Sequence, residues 1–328
     1  MAGIGDSWRS VHDATALACP RIRARLTQGD EPEHQAGLNT RPSVVELGGN
    51  GVTMRIDPAD GGRIVSLIIA GGERILAKAR ARATRPALYW GCYPMVPWAG
   101  RLSNGRIPTN DGEVRLEPNL PPSAIHGLGF DKPWVIVERS ATAVTMTCEL
   151  RGLGWPFGGS ALQTLRLGVS SLELELGVGG YTRAGPAGLG WHPWFTRPPT
   201  ADLELRVDAS EVLELDADLV PTGEIRQVTP REDLRSGPPL GDRRLDHVYI
   251  RTKGPALVRW PDLELRIEYD GSMRTVVVHT PPEGVCVEPQ TMWPNAPLLA
   301  AAGMRETGLR TLEPGESLRA SERWTWIG

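Results

Sequence analysis

From Val44 onward the chain is written in short runs where apolar and polar residues take turns. They include "VTMTCELRG" at 144–152, "SLELELGVG" at 171–179, "DLELRVDA" at 202–209, "DLELRIEYD" at 262–270 and "RTVVVHT" at 274–280. A period of two sends successive side chains to opposite faces, which is the pattern of a half-buried strand. Clusters of glycine, proline, asparagine and aspartate separate the runs, and 38 glycines and 29 prolines supply the breaks. No long amphipathic helical segment lies between them, so the crossovers that a parallel sheet needs are missing. The pattern predicts an all-β fold, a large antiparallel β-sandwich or barrel, with no repeat of fixed period.

Residues 1–43 are polar, charged and weakly patterned, which predicts a loosely held extension with at most a short helix within Asp13–Arg25. Nothing resembling a linker interrupts 44–328, so a single domain is expected there. Over 328 residues, 36 Lys and Arg nearly balance 39 Asp and Glu, for a formal net charge of -3. Without a basic stripe, neither nucleic acid nor an anionic membrane is an expected partner, and a small neutral or weakly charged ligand is. The four cysteines, Cys19, Cys92, Cys148 and Cys286, lie far apart, without the spacing of a zinc site. Free thiols, no secretory signal and no membrane-length apolar run lead us to expect a cytoplasmic monomer or homodimer without metal or cofactor. Eleven tryptophans stand beside three phenylalanines and five tyrosines. Each is first a core residue, but flat indoles also serve as platforms for sugar rings.

Four stretches break the rhythm of strand and turn: "YWGCYPMVPWAGRL" at 89–102, "IHGLGFDKPW" at 125–134, "GLGWHPWF" at 188–195 and "VCVEPQTMWPNA" at 285–296. In the last, alternation puts Cys286 and Glu288 on one face and Val285 and Val287 on the other, and Pro289 is expected to end regular pairing. Apolar neighbours predict a partly desolvated Glu288 carboxyl with a raised pKa, suited to act as a base near neutral pH. His192, extended because Pro193 follows, is either a packed core histidine or a proton donor held by Trp191, Trp194 and Phe195. His126 precedes Gly127-Leu128-Gly129, a turn or a permissive backbone that lets a ligand approach. Arg101 reads as a surface ion-pair partner or a ligand contact. Asp246, in "RRLDHVYI", reads equally as a turn cap or an acceptor of ligand hydroxyls.

Together and in this order, "PMVPWAGRL", "HGLGFDKPW", "GWHPWF", "LDHVY" and "VCVEPQT" resemble blocks of the aldose 1-epimerase (galactose mutarotase) family, bacterial branch. The resemblance implies a galactose mutarotase-like supersandwich with a sugar in an open cleft, and metal-independent interconversion of α and β anomers. It implies Glu288 as general base and His192 as general acid, with His126 and Arg101 binding ligand and stabilising charge. It also implies Asp246 and Gln290 as hydroxyl contacts, with Trp98 and Trp194 as aromatic contacts. Gly100 departs from the asparagine many members carry, and Trp191 and Trp194 stand where smaller or more polar residues are common. Arginines in "TPREDLRSG" at 229–237 leave a sugar-phosphate substrate open. The competing readings are a non-catalytic carbohydrate-binding protein on the same scaffold and a two-carboxylate glycoside hydrolase or lyase with Asp246 as second carboxylate.

Overall fold

The alternating runs fold as strands with one buried face. Ala143–Glu149 and Ser317–Ile327 alternate buried with half-buried or exposed positions along most of their length. The computed structural model describes residues 44–49, 51–77, 86–198 and 202–328, so the extension and helix considered within 1–43 lie outside the described residues. Among the described residues, no helix is long and apolar enough to cross a membrane.

Two antiparallel sheets carry the fold, as the alternation predicts. The smaller has eight strands in the order Val135–Arg139, Ala143–Glu149, Gly158–Leu167, Ser171–Tyr181, Ser317–Ile327, Leu263–Tyr269, Ala256–Trp260, Glu204–Arg206. The larger has eleven, and its middle runs Cys92–Met95, Gly190–Thr196, Gly284–Gln290, Thr275–His279, Asp246–Ile250, Glu211–Leu215. The sheets face one another across a core where Trp191 Nε1 donates to Gln163 Oε1 at 3.0 Å and Phe195 lies 5.4 Å from Trp324.

Three middle strands of the larger sheet do not alternate. Cys92–Met95 and Gly284–Gln290 are buried throughout, and Gly190–Thr196 is buried up to its last residue. Continuous burial means both faces are covered, one by the opposite sheet and the other by loops. Those loops are stitched to strand ends: His126 N donates to Gly100 O at 3.0 Å, Leu128 N to Val96 O at 2.8 Å and Asn295 N to Arg101 O at 2.6 Å. Beneath them the fully buried Arg63 guanidinium donates to the carbonyls of Ala87, Trp90 and Phe130 at 3.0, 2.9 and 2.7 Å, tying two loops to one cation. Pro289 does not end pairing as expected. It lies opposite Val276 and the ladder continues to Gln290, because proline lacks the N–H but keeps its acceptor.

One acidic residue falls in the buried phase of Ser317–Ile327. Glu322 is 2% exposed, accepts from Trp324 Nε1 at 2.8 Å, and has a pKa raised to about 8 by burial, with Asp270 adding and Trp324 opposing. Between the ordinary value of 4.5 and about 8 the folded state keeps this proton and the unfolded chain releases it. Its contribution to stability is present below that window and lost as pH rises through it. Melting from pH about 5 to about 9 should therefore show a fall in Tm that Glu322→Gln reduces by roughly 5 °C or more. An equal fall in both proteins contradicts the assignment.

Candidate functional site

Residues directly opposite in an antiparallel pair share a face, so strand register fixes which side chains meet. Tyr93 pairs with His192, Glu288 with Val277, and Val277 with Val248. The pairs Gly190 with Gln290 and Trp194 with Cys286 set His192 level with Glu288 between them. One row across the sheet therefore reads Tyr93, His192, Glu288, Val277, Val248. A neighbouring row reads Trp194, Cys286, His279, Asp246. Trp191 and Phe195, out of phase with these rows, point to the opposite sheet, so both rows form the outer floor beneath the loops.

Over this floor lies a cavity of about 300 Å³ lined by Arg101, His126, His192, Trp194, Asp246 and Glu288. Two sequence candidates lie elsewhere. Trp98 is 3% exposed and stacks on Trp155 with ring centroids 5.6 Å apart, so its indole fills the core. Gln290 is fully buried and donates through Nε2 to Met292 O at 2.7 Å, bracing the chain as it leaves the strand. Neither lines the cavity. His279 does, and sequence reasoning missed it; its Nδ1 lies 3.4 Å from Asp246 Oδ2, across the pair that aligns the two residues. The available signal was its phase in "RTVVVHT", two positions from Val277 on the same face.

His192 Nε2 and Glu288 Oε1 are 3.3 Å apart, with the residues 5% and 2% exposed. Burial pushes the Glu288 carboxyl well up, with Asp246 adding and Arg101 opposing. Burial pushes His192 well down, helped by His126 and His279. Both shifts favour uncharged forms, so the pair is best described as sharing one proton. Carboxylic acid with imidazole, and carboxylate with imidazolium, are two arrangements of the same composition. The His192 ring is stacked against Tyr93 at 4.8 Å and Trp194 at 5.6 Å, with His126 edge-on at 4.8 Å. Its Nδ1 is buried without a hydrogen-bond partner among the described residues, so aromatic packing rather than a second carboxylate orients it.

The two glycine-bearing loops serve packing. His126 itself adopts a left-handed φ of 60°, and burial, with Arg101 and His279, pushes its imidazole down to about 3. A Cβ on Gly127 would stand 2.0 Å from Val96 O, so that glycine permits the loop's close approach to the strand end. A Cβ on Gly100, where φ is +72°, would stand 2.6 Å from Pro294 Cγ. Its bare backbone thus fits the Pro294 contact, and an asparagine there would need the loop to move.

Among the described residues, His192, Cys286 and Glu288 are the group that brings three potential metal-ligand atoms within 4.8 Å of one another. Burial, with Glu288 adding, pushes the Cys286 thiol well up, and a protonated thiol is a poor ligand. A cation there would also occupy the imidazole and carboxylate between which the proton is shared.

A family model described as aldose 1-epimerase matches residues 44–325. The uncharacterized Escherichia coli protein YphB is 26% identical over 202 residues, 60% of this chain and 64% of YphB, so the match spans less than two thirds of that relative. YihR, also uncharacterized and from E. coli, is 26% identical over 218 residues, 62% of this chain and 70% of YihR. A galactose mutarotase-like protein from Clostridium acetobutylicum superposes with a TM-score of 0.77 at 17% identity, covering 87% of this chain and 95% of that one. An aldose epimerase homologue from C. elegans gives 0.74 at 20% identity, covering 87% and 98%. At these identities the structural likeness speaks for the fold.

The charges around Glu288 act in opposite directions. Asp246→Asn removes the repulsion that raises its pKa and should lower the carboxyl's midpoint, whereas Arg101→Ala removes the attraction that lowers it and should raise it. Carboxyl carbon NMR, with Glu288→Gln identifying the resonance, measures both. Shifts of the same sign, or none, contradict this electrostatic account.

Proposed function

The chain belongs to the aldose 1-epimerase family, and from that premise and the site's geometry we propose that it interconverts the α and β anomers of a free aldose by acid–base ring opening and closure. The observation that carries the reading is the 3.3 Å contact between His192 and Glu288 on the cavity floor. The anomeric and ring oxygens of a pyranose are bonded to the same carbon. A base and an acid that serve them must therefore be neighbours.

Proton bookkeeping fits the pair. Glu288, as carboxylate, takes the proton of the anomeric hydroxyl, while His192, as imidazolium, gives one to the ring oxygen as the bond from C1 to that oxygen breaks. The opened sugar is left with the uncharged acid and imidazole that burial favours. After rotation about C1–C2 the C5 hydroxyl attacks the other face of the aldehyde. His192 then recovers its proton and Glu288 returns the other. Arg101, His126 and Trp194 line the same cavity, and the donors of Arg101 and His126 suit oxygens on which charge develops.

The other readings have less support. Binding alone gives no reason to bury an ionisable carboxyl against an imidazole, which disfavours a non-catalytic carbohydrate-binding protein. The arginines of 229–237 are already engaged, Arg231 with Asp242 at 3.1 Å and Arg235 with Asp233 at 2.6 Å, and neither lines the cavity. That weighs against a sugar phosphate. Asp246, the second carboxylate of a hydrolase, faces His279 instead.

Glu288→Gln and His192→Asn should each slow anomer exchange by about two to four orders of magnitude while leaving the protein folded and sugar bound. Saturation-transfer NMR on freshly prepared aldoses gives the exchange rate, and calorimetry gives affinity. Near wild-type exchange in Glu288→Gln contradicts its role as base. Loss of binding as complete as the loss of exchange makes Glu288 a ligand contact instead.

A further inference from the structure

The floor of the cavity is divided. Beyond the His192–Glu288 contact its row continues as Val277 and Val248, which carry no hydrogen-bonding side-chain group. The adjacent row continues as His279 and Asp246, a facing donor and acceptor. The two rows lie two residues apart along each strand, about 7 Å, so together they span the width of a pyranose. The next strand outward adds Leu215, and the turn after it adds Leu219. Leu219 is 39% exposed and holds a left-handed φ of 59°, two unfavourable states for a leucine that here form part of the cavity's apolar lip.

In a pyranose, C2 and the ring oxygen leave C1 on opposite edges of the ring. With the anomeric end at His192 and Glu288, the edge bearing vicinal hydroxyls finds partners at His279 and Asp246. The edge bearing C5 then faces Val277, Val248 and the leucines. Among the described residues, Arg101 is the lone lysine or arginine lining the cavity, against the carboxyl groups of Asp246 and Glu288, so the described lining holds no surplus positive charge for an anionic substituent.

We infer that the site takes neutral aldopyranoses and prefers those with a methyl group or hydrogen on C5 over those with a hydroxymethyl or an ionised group there. This rests on the epimerase reading for the placement of C1. A hydroxymethyl group set against the apolar row gives up water without gaining a partner, and an apolar surface discriminates against an added hydroxyl only modestly, by about tenfold.

Matched sugars isolate the effect: D-galactose against 6-deoxy-D-galactose and D-glucose against 6-deoxy-D-glucose, with glucose 6-phosphate and glucuronate as the charged cases. By exchange NMR, kcat/KM for each 6-deoxy sugar should exceed that of its parent by about tenfold, with the charged sugars below both. Adding hydroxyls to the apolar row with Val277→Thr and Val248→Thr should narrow the ratio of kcat/KM between each 6-deoxy sugar and its parent. Equal or faster exchange of the hydroxymethyl parents, or of a charged sugar, overturns the inference and leaves the epimerase reading intact. Calorimetry with the same pairs on Glu288→Gln separates the two claims. If no sugar is exchanged by the wild type yet the 6-deoxy sugars bind more tightly, the epimerase reading falls and the division of the floor stands; equal binding then overturns the division as well.

Discussion

Holding a carboxyl and an imidazole in contact, almost out of water, is the constraint on which the rest of this site depends. A charge isolated there would be very costly, and burial alone displaces each group from its usual range in the direction that keeps it neutral. Glu288 and His192 avoid that cost by carrying one proton between them. Their net charge stays the same when the proton moves from one to the other, which is the change that ring opening also demands. The electrostatic requirement of the fold and the requirement of the proposed chemistry are thus the same requirement.

Geometry follows from two features of the scaffold. Register across Cys92–Met95, Gly190–Thr196 and Gly284–Gln290 brings Tyr93, His192 and Glu288 into line, so their alignment is set by backbone ladders rather than by flexible side chains. The loops then shut out water. Arg63 holds the carbonyls of Ala87, Trp90 and Phe130, which places Leu88 and Tyr89 on one side of the cavity and the His126 loop on another. A buried guanidinium with several carbonyl partners is a strong tie, because losing any one of them would leave charge unsatisfied. Gly100 and Gly127 let the same loops close on Pro294 and Val96.

Much of this was legible in the chain. Alternation in "VTMTCELRG" and "DLELRIEYD" foretold antiparallel strands, and the phase of "VCVEPQ" put Cys286 and Glu288 on a common face. Cross-strand alignment was not legible, since no local pattern says that Asp246 will pair with His279 thirty-odd positions later. Nothing in the alternation of "RTVVVHT" therefore singles His279 out from its strand. Trp98 and Gln290 show the opposite error. Both belong to blocks that resemble a sugar site, yet one turns into an indole stack and the other braces Met292, because a contiguous block does not have to face one cavity. The burial of both faces in Gly190–Thr196 also hid its strand character, which is visible only once loops cover the sheet.

The central claim is that His192 and Glu288 act as one unit, and a double-variant comparison of anomer exchange tests it most directly. Groups that share a single step are strongly non-additive, so once either is lost the other has little left to contribute. Exchange by Glu288→Gln with His192→Asn should match that of the more damaged single variant, measured under the same conditions with sugar binding retained. If instead the two losses multiply, the carboxyl and the imidazole contribute independently, and the shared-proton account is wrong.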